Sequence, residues 1–141
     1  MITIRVYGMP APQGSKRHVG NGVMIESSKK VKPWREAVKY AALDVGGGTL
    51  AGAVHVEMIF TMPKPKSAPK NRLTLPDRKP DLSKLIRSTE DALTDAGIWE
   101  DDARVVRCIA SKVFPNEHAD ALRTPGALIR IWSADDAMRP A

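Results

Sequence analysis

Three aspartates in the second half of the chain have the side-chain chemistry to hold a divalent metal ion. Asp81 opens a segment of helical periodicity, and Asp101 and Asp102 follow just beyond its end. Phosphodiester hydrolysis needs a neutralised phosphate charge and an activated water, and carboxylate-bound magnesium supplies both. Magnesium keeps several waters and takes few protein carboxylates, so a sparse set suffices. The spacing leaves a plainer interpretation open: Asp81 as a helix cap and the Asp101–Asp102 pair as a surface turn.

The helix between the two groups of aspartates separates them. A helix of ~15 residues is ~22 Å long, so its two ends do not meet locally. Asp81 and Asp102 can share a metal ion only if the chain folds back after Gly97, with Ile98 and Trp99 as an anchor for the return.

The charge distribution favours a polyanionic partner. Residues 1–80 hold 14 Lys and Arg against 5 Asp and Glu, whereas residues 81–102 hold 7 acids and only Lys84 and Arg87 as bases. A basic surface around a small acidic focus is typical of a nuclease, because its substrate is a polyanion and its metal needs carboxylates. A mildly basic domain without such a substrate is the alternative that charge alone leaves open.

The remaining reactive side chains predict no second site. The three histidines lack the spacing of zinc ligands, and Cys108 is expected to be buried in a strand. A single cysteine excludes an internal disulfide and fits a reducing cytoplasm. No stretch approaches the ~18 apolar residues of a membrane span, so we expect a soluble, cytoplasmic protein that does not bind a membrane.

Hydrophobic periodicity predicts the elements that position these residues. We expect one α/β (α+β) domain over residues 1–141, with a mixed β-sheet, two helices packed on it and the order β-β-α-β-α-β-β. Asp81 is predicted as the N-cap of the second helix and Gly97 as its left-handed C-terminal residue. Strands are predicted at 2–7, 23–25, 53–61, 105–113 and 127–132, helices at 33–45 and 81–96, and a frayed tail at 134–141.

Residues 62–80 predict a long basic loop. The segment contains five prolines and six Lys or Arg, which exclude a helix or a central strand. Its length is typical of a functional loop, and a solvated connector remains the alternative.

One part of the chain resembles the RusA-type Holliday junction resolvases. The family pattern is roughly a basic run, Asp-Leu-Asp-(Asn/Lys)-Leu, a helix ending in Asp-Ala-Leu-Thr-x-Ala-Gly, and an (Trp/Ile)-x-Asp-Asp-x-x-Val turn. The matching residues here are 78–85, 91–94, 96–97, 99 and 101–106, and a looser match covers most of the chain. The resemblance implies a homodimeric, magnesium-dependent endonuclease, with manganese as a possible substitute, that nicks four-way DNA junctions symmetrically during recombination and repair. It also favours a phage or prophage origin.

The resemblance also implies roles for individual residues. Asp81 and Asp102 would be metal-binding catalytic carboxylates with Asp101 beside them, and Arg87 stands where the family has a catalytic lysine. Ser83 replaces the second aspartate of the family's Asp-x-Asp, so the resemblance predicts a weaker metal site or a replacement carboxylate from Glu90 or Asp91. Phosphate contacts would come from Lys16, Arg17, Arg78, Lys79 and Lys84.

Three functions follow from this sequence. The first is an active junction endonuclease. The second is a junction-binding protein whose catalysis has weakened, which the neutral Ser83 keeps open. The third is a basic interaction domain that does not bind DNA.

Overall fold

Most of the chain is described by a computed structural model. It describes the backbone of residues 1–14, 16–18, 24–26 and 29–137, and the side chains of residues 1–14 and 29–135. The strands are β1 (Ile2–Tyr7), β2 (Lys16–His18), β3 (Met24–Glu26), β4 (Val54–Thr61), β5 (Val105–Val113) and β6 (Gly126–Ser133). The helices are α1 (Val31–Val45), α2 (Leu82–Asp95) and α3 (Ala134–Ala137), and a short 3-10 turn spans Asp102–Arg104.

Four strands form one mixed sheet in the order β1-β6-β4-β5. β4 and β5 run parallel, while the β1–β6 and β4–β6 pairs are antiparallel. A parallel pair needs a crossover, and α2 supplies it between β4 and β5. The predicted fold class and element order are confirmed, with the predicted second strand as one arm of a β2–β3 hairpin.

The core lies between one face of this sheet and the two long helices. Val56, Met58 and Phe60 alternate along β4 on the helix side, as period-2 patterning requires, and are buried with Trp34 of α1 and Leu85 of α2. Packing of α2 on α1 also buries polar groups, and these groups form hydrogen bonds. The Trp34 Nε1 donates to Thr89 Oγ1 at 3.2 Å, and Ser88 Oγ donates to the Ala11 carbonyl at 2.7 Å.

β5 forms one edge of the sheet, and this corrects the expectation that Cys108 is buried. Within the described part of the chain, β5 pairs with β4 on one side and has no strand on the other. Cys108 is therefore exposed, although partial burial still raises the pKa of its thiol to about 11. Sequence patterning recognised the strand but not its place at an edge.

The proline-rich segment 62–80 contains no helix or strand and is tied to the loop after β5. Lys64 Nζ lies 2.7 Å from the Glu117 carboxylate, whose second oxygen accepts from the Thr74 backbone N–H at 3.1 Å. Lys64 also donates to the Arg72 carbonyl at 3.3 Å. These contacts fix the course of segment 62–80 beside the start of α2.

The described helices are too short or too polar to cross a lipid bilayer.

Candidate active site

The first half of the candidate site is the N-terminal end of α2. Asp81 occupies the N-cap position, as predicted, but its side chain makes no capping hydrogen bond. Its carboxylate is exposed and lies 3.9 Å from Lys84 Nζ. The preceding chain is held by Lys112 of β5, whose Nζ donates to the carbonyls of Arg78 and Pro80 at 2.9 Å each. The backbone before Asp81 is therefore held, while its exposed carboxylate makes no capping hydrogen bond and remains available to bind a ligand.

A groove of about 1220 Å³ runs past this end of the helix. Its charged lining is mostly basic and includes three of the predicted phosphate-binding residues, Arg78, Lys79 and Lys84, together with Asp81. Lys30 and Arg72 add two bases that sequence reasoning did not single out. A basic groove that contains an exposed carboxylate suits a phosphate backbone.

The second half of the candidate site lies at the C-terminal end of α2, where Asp102 is held by hydrogen bonds. Trp99 is buried, and its indole Nε1 donates to Thr94 Oγ1 at 2.7 Å. The Thr94 hydroxyl in turn donates to Asp102 Oδ1. Because the indole satisfies the acceptor side of Thr94, the hydroxyl proton is directed at the carboxylate, which fixes the orientation of Asp102.

Asp101 has a local structural role. Its carboxylate accepts from the Ala103 backbone N–H at 2.8 Å and caps the 3-10 turn. The turn is reinforced by Arg104, which pairs with Glu100 at 3.0 Å. Asp101 therefore shapes the turn that presents Asp102.

Glu90 and Asp91 of α2 crowd the same end of the helix. Burial raises the pKa of Glu90, and the charges of Asp102 and Asp91 raise it further. Burial also raises the pKa of Asp91, where the Arg35 guanidinium opposes the shift and the nearby Asp102 adds to it. Like charges this close favour the uptake of a proton or a cation, because either relieves the repulsion.

The two halves of the candidate site do not meet within one chain. Asp102 contacts Thr94, which lies 13 residues beyond Asp81, so the two aspartates are roughly 20 Å apart along the helix. The chain does fold back after Gly97, on the buried Ile98 and Trp99, but it reaches only the C-terminal half of α2. Among residues with described side chains, no three His, Cys, Asp or Glu are arranged to hold a metal ion.

Four further predicted residues have side chains that either face solvent or lie outside the described part of the chain. Ser83 and Arg87 are both exposed on α2, two and six residues from Asp81. Lys16 and Arg17 belong to β2, and their side chains lie outside the described residues. The phosphate-binding roles of these two basic residues stay predictions.

Sequence reasoning missed Lys112 and the hydrogen bond from Trp99 to Thr94, although it did predict Trp99 as an anchor for the chain after Gly97. Lys112 acts through a contact between residues 32 positions apart, which no local pattern reveals. Thr94 belongs to the family pattern at 91–94, but its position five residues before Trp99 gave no sign that it contacts the indole and Asp102. The strand that carries Lys112 was itself predicted, as a strand-like run at 105–113.

The family model described as endodeoxyribonuclease RusA matches residues 7–122. The matched range includes α2, both groups of aspartates and the basic groove. A search of the curated proteins found no match.

Proposed function

Since the chain belongs to the RusA endodeoxyribonuclease family, a family of Holliday junction resolvases, we propose that it cuts four-way DNA junctions by paired symmetric nicks. The proposal includes a dependence on magnesium, with manganese as a substitute, and a homodimer as the active form. Two identical sites related by a twofold axis suit paired cuts on a junction of matching symmetry. Recombination and repair are the processes that use such cuts.

The observation that carries this proposal is the exposed Asp81 carboxylate in the basic groove. The uncapped Asp81 lies next to Lys84, and Arg78 and Lys79 line the same groove. Basic side chains hold the DNA backbone without reading its sequence, which suits an enzyme that recognises junction shape. The carboxylate then lies where a backbone phosphate passes.

The proposed roles follow from position and charge. Arg78, Lys79 and Lys84 bind phosphates on either side of the cut, and the exposed Arg87 offers a guanidinium to the charge that develops on the scissile phosphate. Asp102 is proposed as a metal-binding carboxylate, and the hydrogen bond from Thr94 sets its orientation.

The carboxylates of a single described chain do not fit the divalent-metal requirement that is general in the family. Family members are generally divalent-metal-dependent, yet Asp81 and Asp102 lie at opposite ends of α2. The family's Asp-x-Asp is Asp81-Leu82-Ser83 here. Because Ser83 is neutral, Asp81 is the one carboxylate that this motif supplies to the N-terminal half of the site. The carboxylates of one described chain therefore do not form a metal site by themselves.

A second candidate function is junction binding with weakened catalysis. Ser83, in place of the family's aspartate, favours it, because loss of a carboxylate lowers metal affinity while leaving the basic groove intact. Such a protein would bind a junction tightly and cut it slowly.

Cleavage of a synthetic four-way junction by the purified protein with magnesium tests the proposal. We expect paired nicks from the native protein and none from Asp81→Asn or Asp102→Asn, with junction affinity retained in both variants. Tight junction binding without cutting, in magnesium and manganese alike, would establish the second candidate instead.

A further inference from the structure

Two leucines in the proline-rich segment 62–80 have apolar side chains that face solvent. The exposed fraction is 75% for Leu73 and 77% for Leu75, and among the large apolar residues with described side chains only Met1 exceeds these values. Apolar surface left in water contributes nothing to the hydrophobic stabilisation of the fold. The leucine pair, Leu73 and Leu75, therefore keeps its apolar surface available for a partner.

The residue between the two leucines has the opposite orientation. Thr74 is partly buried, and its Oγ1 is enclosed without a hydrogen-bond partner among the described residues. Its backbone N–H donates to the Glu117 carboxylate at 3.1 Å, and Lys64 lies 2.7 Å from the same carboxylate. Water alone would favour the reverse arrangement, with leucine buried and threonine exposed. The contacts of Thr74 therefore hold the segment with the leucine pair turned outwards.

The chain after Leu75 is held as well. Pro76 has a fixed φ, and the Asp77 backbone N–H donates across it to the Leu75 carbonyl at 2.9 Å, which closes a three-residue turn. Leu75 thus follows the anchored Thr74 and precedes a closed turn. A side chain on a backbone that is already ordered loses less conformational entropy when it binds a partner.

The charges around the leucine pair indicate which partner it binds. Leu75 lines the same groove as Arg72, Arg78 and Asp81. Segment 62–80 carries six Lys or Arg and a single acidic residue. Apolar side chains among bases match DNA, because its backbone is anionic and its bases have flat faces that stack on apolar groups.

We propose that the leucine pair recognises the branch point of a four-way junction by inserting beside the base pairs at its centre. This inference rests on the proposed function, because it concerns what the same groove binds. Leucine and other apolar side chains act as wedges between base steps in other DNA-binding proteins, at the cost of unstacking the bases. At a branch point the stack is already interrupted, so this cost is lower than in a linear duplex. The leucine pair therefore favours a junction, whereas phosphate-binding bases hold both kinds of DNA.

The position of the leucine pair also relates the branch point to the site of cutting. Leu75 precedes Asp81 by six residues, which span at most ~20 Å, and both residues line the groove. Lys112 holds the backbone between them through the carbonyls of Arg78 and Pro80. A branch point bound at Leu75 therefore determines which backbone phosphate passes Asp81.

Affinities for a four-way junction and for a linear duplex test this role. Leu73→Ala/Leu75→Ala is compared with Leu43→Ala/Val45→Ala, a control that shortens two exposed apolar side chains of α1 outside the groove. Magnesium is left out so that the DNA stays intact. We expect the leucine variant to bind the junction about 10- to 100-fold more weakly, because its apolar contacts are lost, and to bind the duplex as the native protein does. The control should match the native protein on both.

Two further measurements separate the wedge from other roles of the leucines. Leu73→Met/Leu75→Met keeps long apolar side chains and should retain the preference for the junction. The salt slope of Leu73→Ala/Leu75→Ala should equal that of the native protein, because no charge is removed. An unchanged junction affinity, or an equal loss on junction and duplex, would overturn the proposal. An altered oligomeric state by light scattering would overturn it too, because the leucines would then contact a second copy of the chain.

A fluorescent base at the branch point gives a measurement that does not depend on cutting. An adenine analogue whose emission is quenched by stacking is placed beside the branch point, or in the middle of one arm as a control. We expect the native protein to raise the emission at the branch point alone, and saturating Leu73→Ala/Leu75→Ala to leave it at the level of free DNA. No rise with the native protein would contradict the wedge even if the junction is cut. A rise without any cutting in magnesium would support the wedge and contradict the nuclease.

Discussion

At the scale of single residues, the candidate site depends on how a few side chains are held. Asp81 has no capping hydrogen bond, whereas Asp102 receives one from Thr94, which is itself oriented by the buried Trp99. One carboxylate is therefore free to move toward a ligand, and the other is held in place. Thr94 and Trp99 are positioning residues for Asp102.

Replacing Thr94 by valine removes the hydroxyl but keeps the shape of the side chain. We expect Thr94→Val to lower junction cleavage by about 10- to 100-fold, because partners that orient a ligand typically contribute that much to metal affinity or activity. The magnesium concentration for half-maximal cleavage should rise, while junction affinity stays unchanged. Thr94→Ser restores the hydroxyl and should recover most of the activity. Equal losses in Thr94→Val and Thr94→Ser would show that the hydrogen bond to Asp102 is unimportant.

Ser83 allows the opposite experiment, in which a carboxylate is added. Ser83 is exposed near the start of α2, so an aspartate there has room and is favoured by the positive helix end. We expect Ser83→Asp to cut junctions at lower magnesium concentrations than the native protein. Ser83→Asn is the matched control of the same size without the charge. An unchanged magnesium requirement and rate in Ser83→Asp would mean that another group already supplies the missing carboxylate.

At the scale of elements, β4 and β6 are joined to the loop after β5 by an ionic network. Arg130 of β6 lies 2.7 Å from both Glu57 of β4 and Asp120 of the loop. All three side chains are about three-quarters buried, so the network is better shielded from solvent than a surface pair. It holds the loop against the sheet face opposite the helices.

The Arg130 network predicts a pH-dependent part of the stability. Hydrogen bonds from Arg130 hold the pKa of Asp120 below its ordinary value. A lowered carboxyl pKa stabilises the fold fully above the ordinary value of ~3.9, and this contribution disappears as the pH falls below that value and through the lower one. We expect Asp120→Asn to lower the Tm by roughly 3 °C at pH 7. The difference from the native protein should shrink as the pH falls below ~3.9. Thermal unfolding between pH 7 and pH 3 measures it, and a difference that does not change with pH would contradict the assignment.

At the scale of the whole molecule, the basic groove is expected to dominate DNA affinity. Each phosphate contact releases counterions, so the slope of log affinity against log salt reports how many contacts form. The described groove brings Arg78, Lys79 and Lys84 together with Lys30 and Arg72. DNA binding should therefore weaken steeply with salt.

Removing two of these bases has a measurable effect on that slope. We expect Arg78→Ala/Lys79→Ala to bind a junction more weakly and to reduce the salt slope by about 2, since each phosphate contact contributes ~0.9. Lys32→Ala/Lys39→Ala, on α1, is the control with the same loss of charge away from the residues that line the groove. Equal slopes in the two double variants would indicate that net charge, rather than the groove, binds the DNA.

Element prediction succeeded where a single local rule decides the outcome. β5 was predicted at 105–113 and is observed over Val105–Val113, because this short run is rich in β-branched residues, which favour strands. The N-cap at Asp81 and the left-handed Gly97 were likewise readable, since capping depends on neighbouring residues only. The expectation for Cys108 failed because burial at a strand position depends on whether the strand is central or at an edge.

The amino-acid sequence by itself determined the family, the fold class, the order of the elements and the identity of the candidate aspartates. The fold class and the order of the elements follow from local periodicity and capping, and the family follows from the resemblance of the residues around the aspartates to the family pattern. Only the tertiary structure decided that Lys112 holds the chain before Asp81 and that Thr94 and Trp99 orient Asp102. It also decided that the return of the chain after Gly97 does not bring Asp102 back to Asp81. These contacts depend on where distant segments meet on the sheet, and sheet order and packing are set by burial of the whole core rather than by any local pattern.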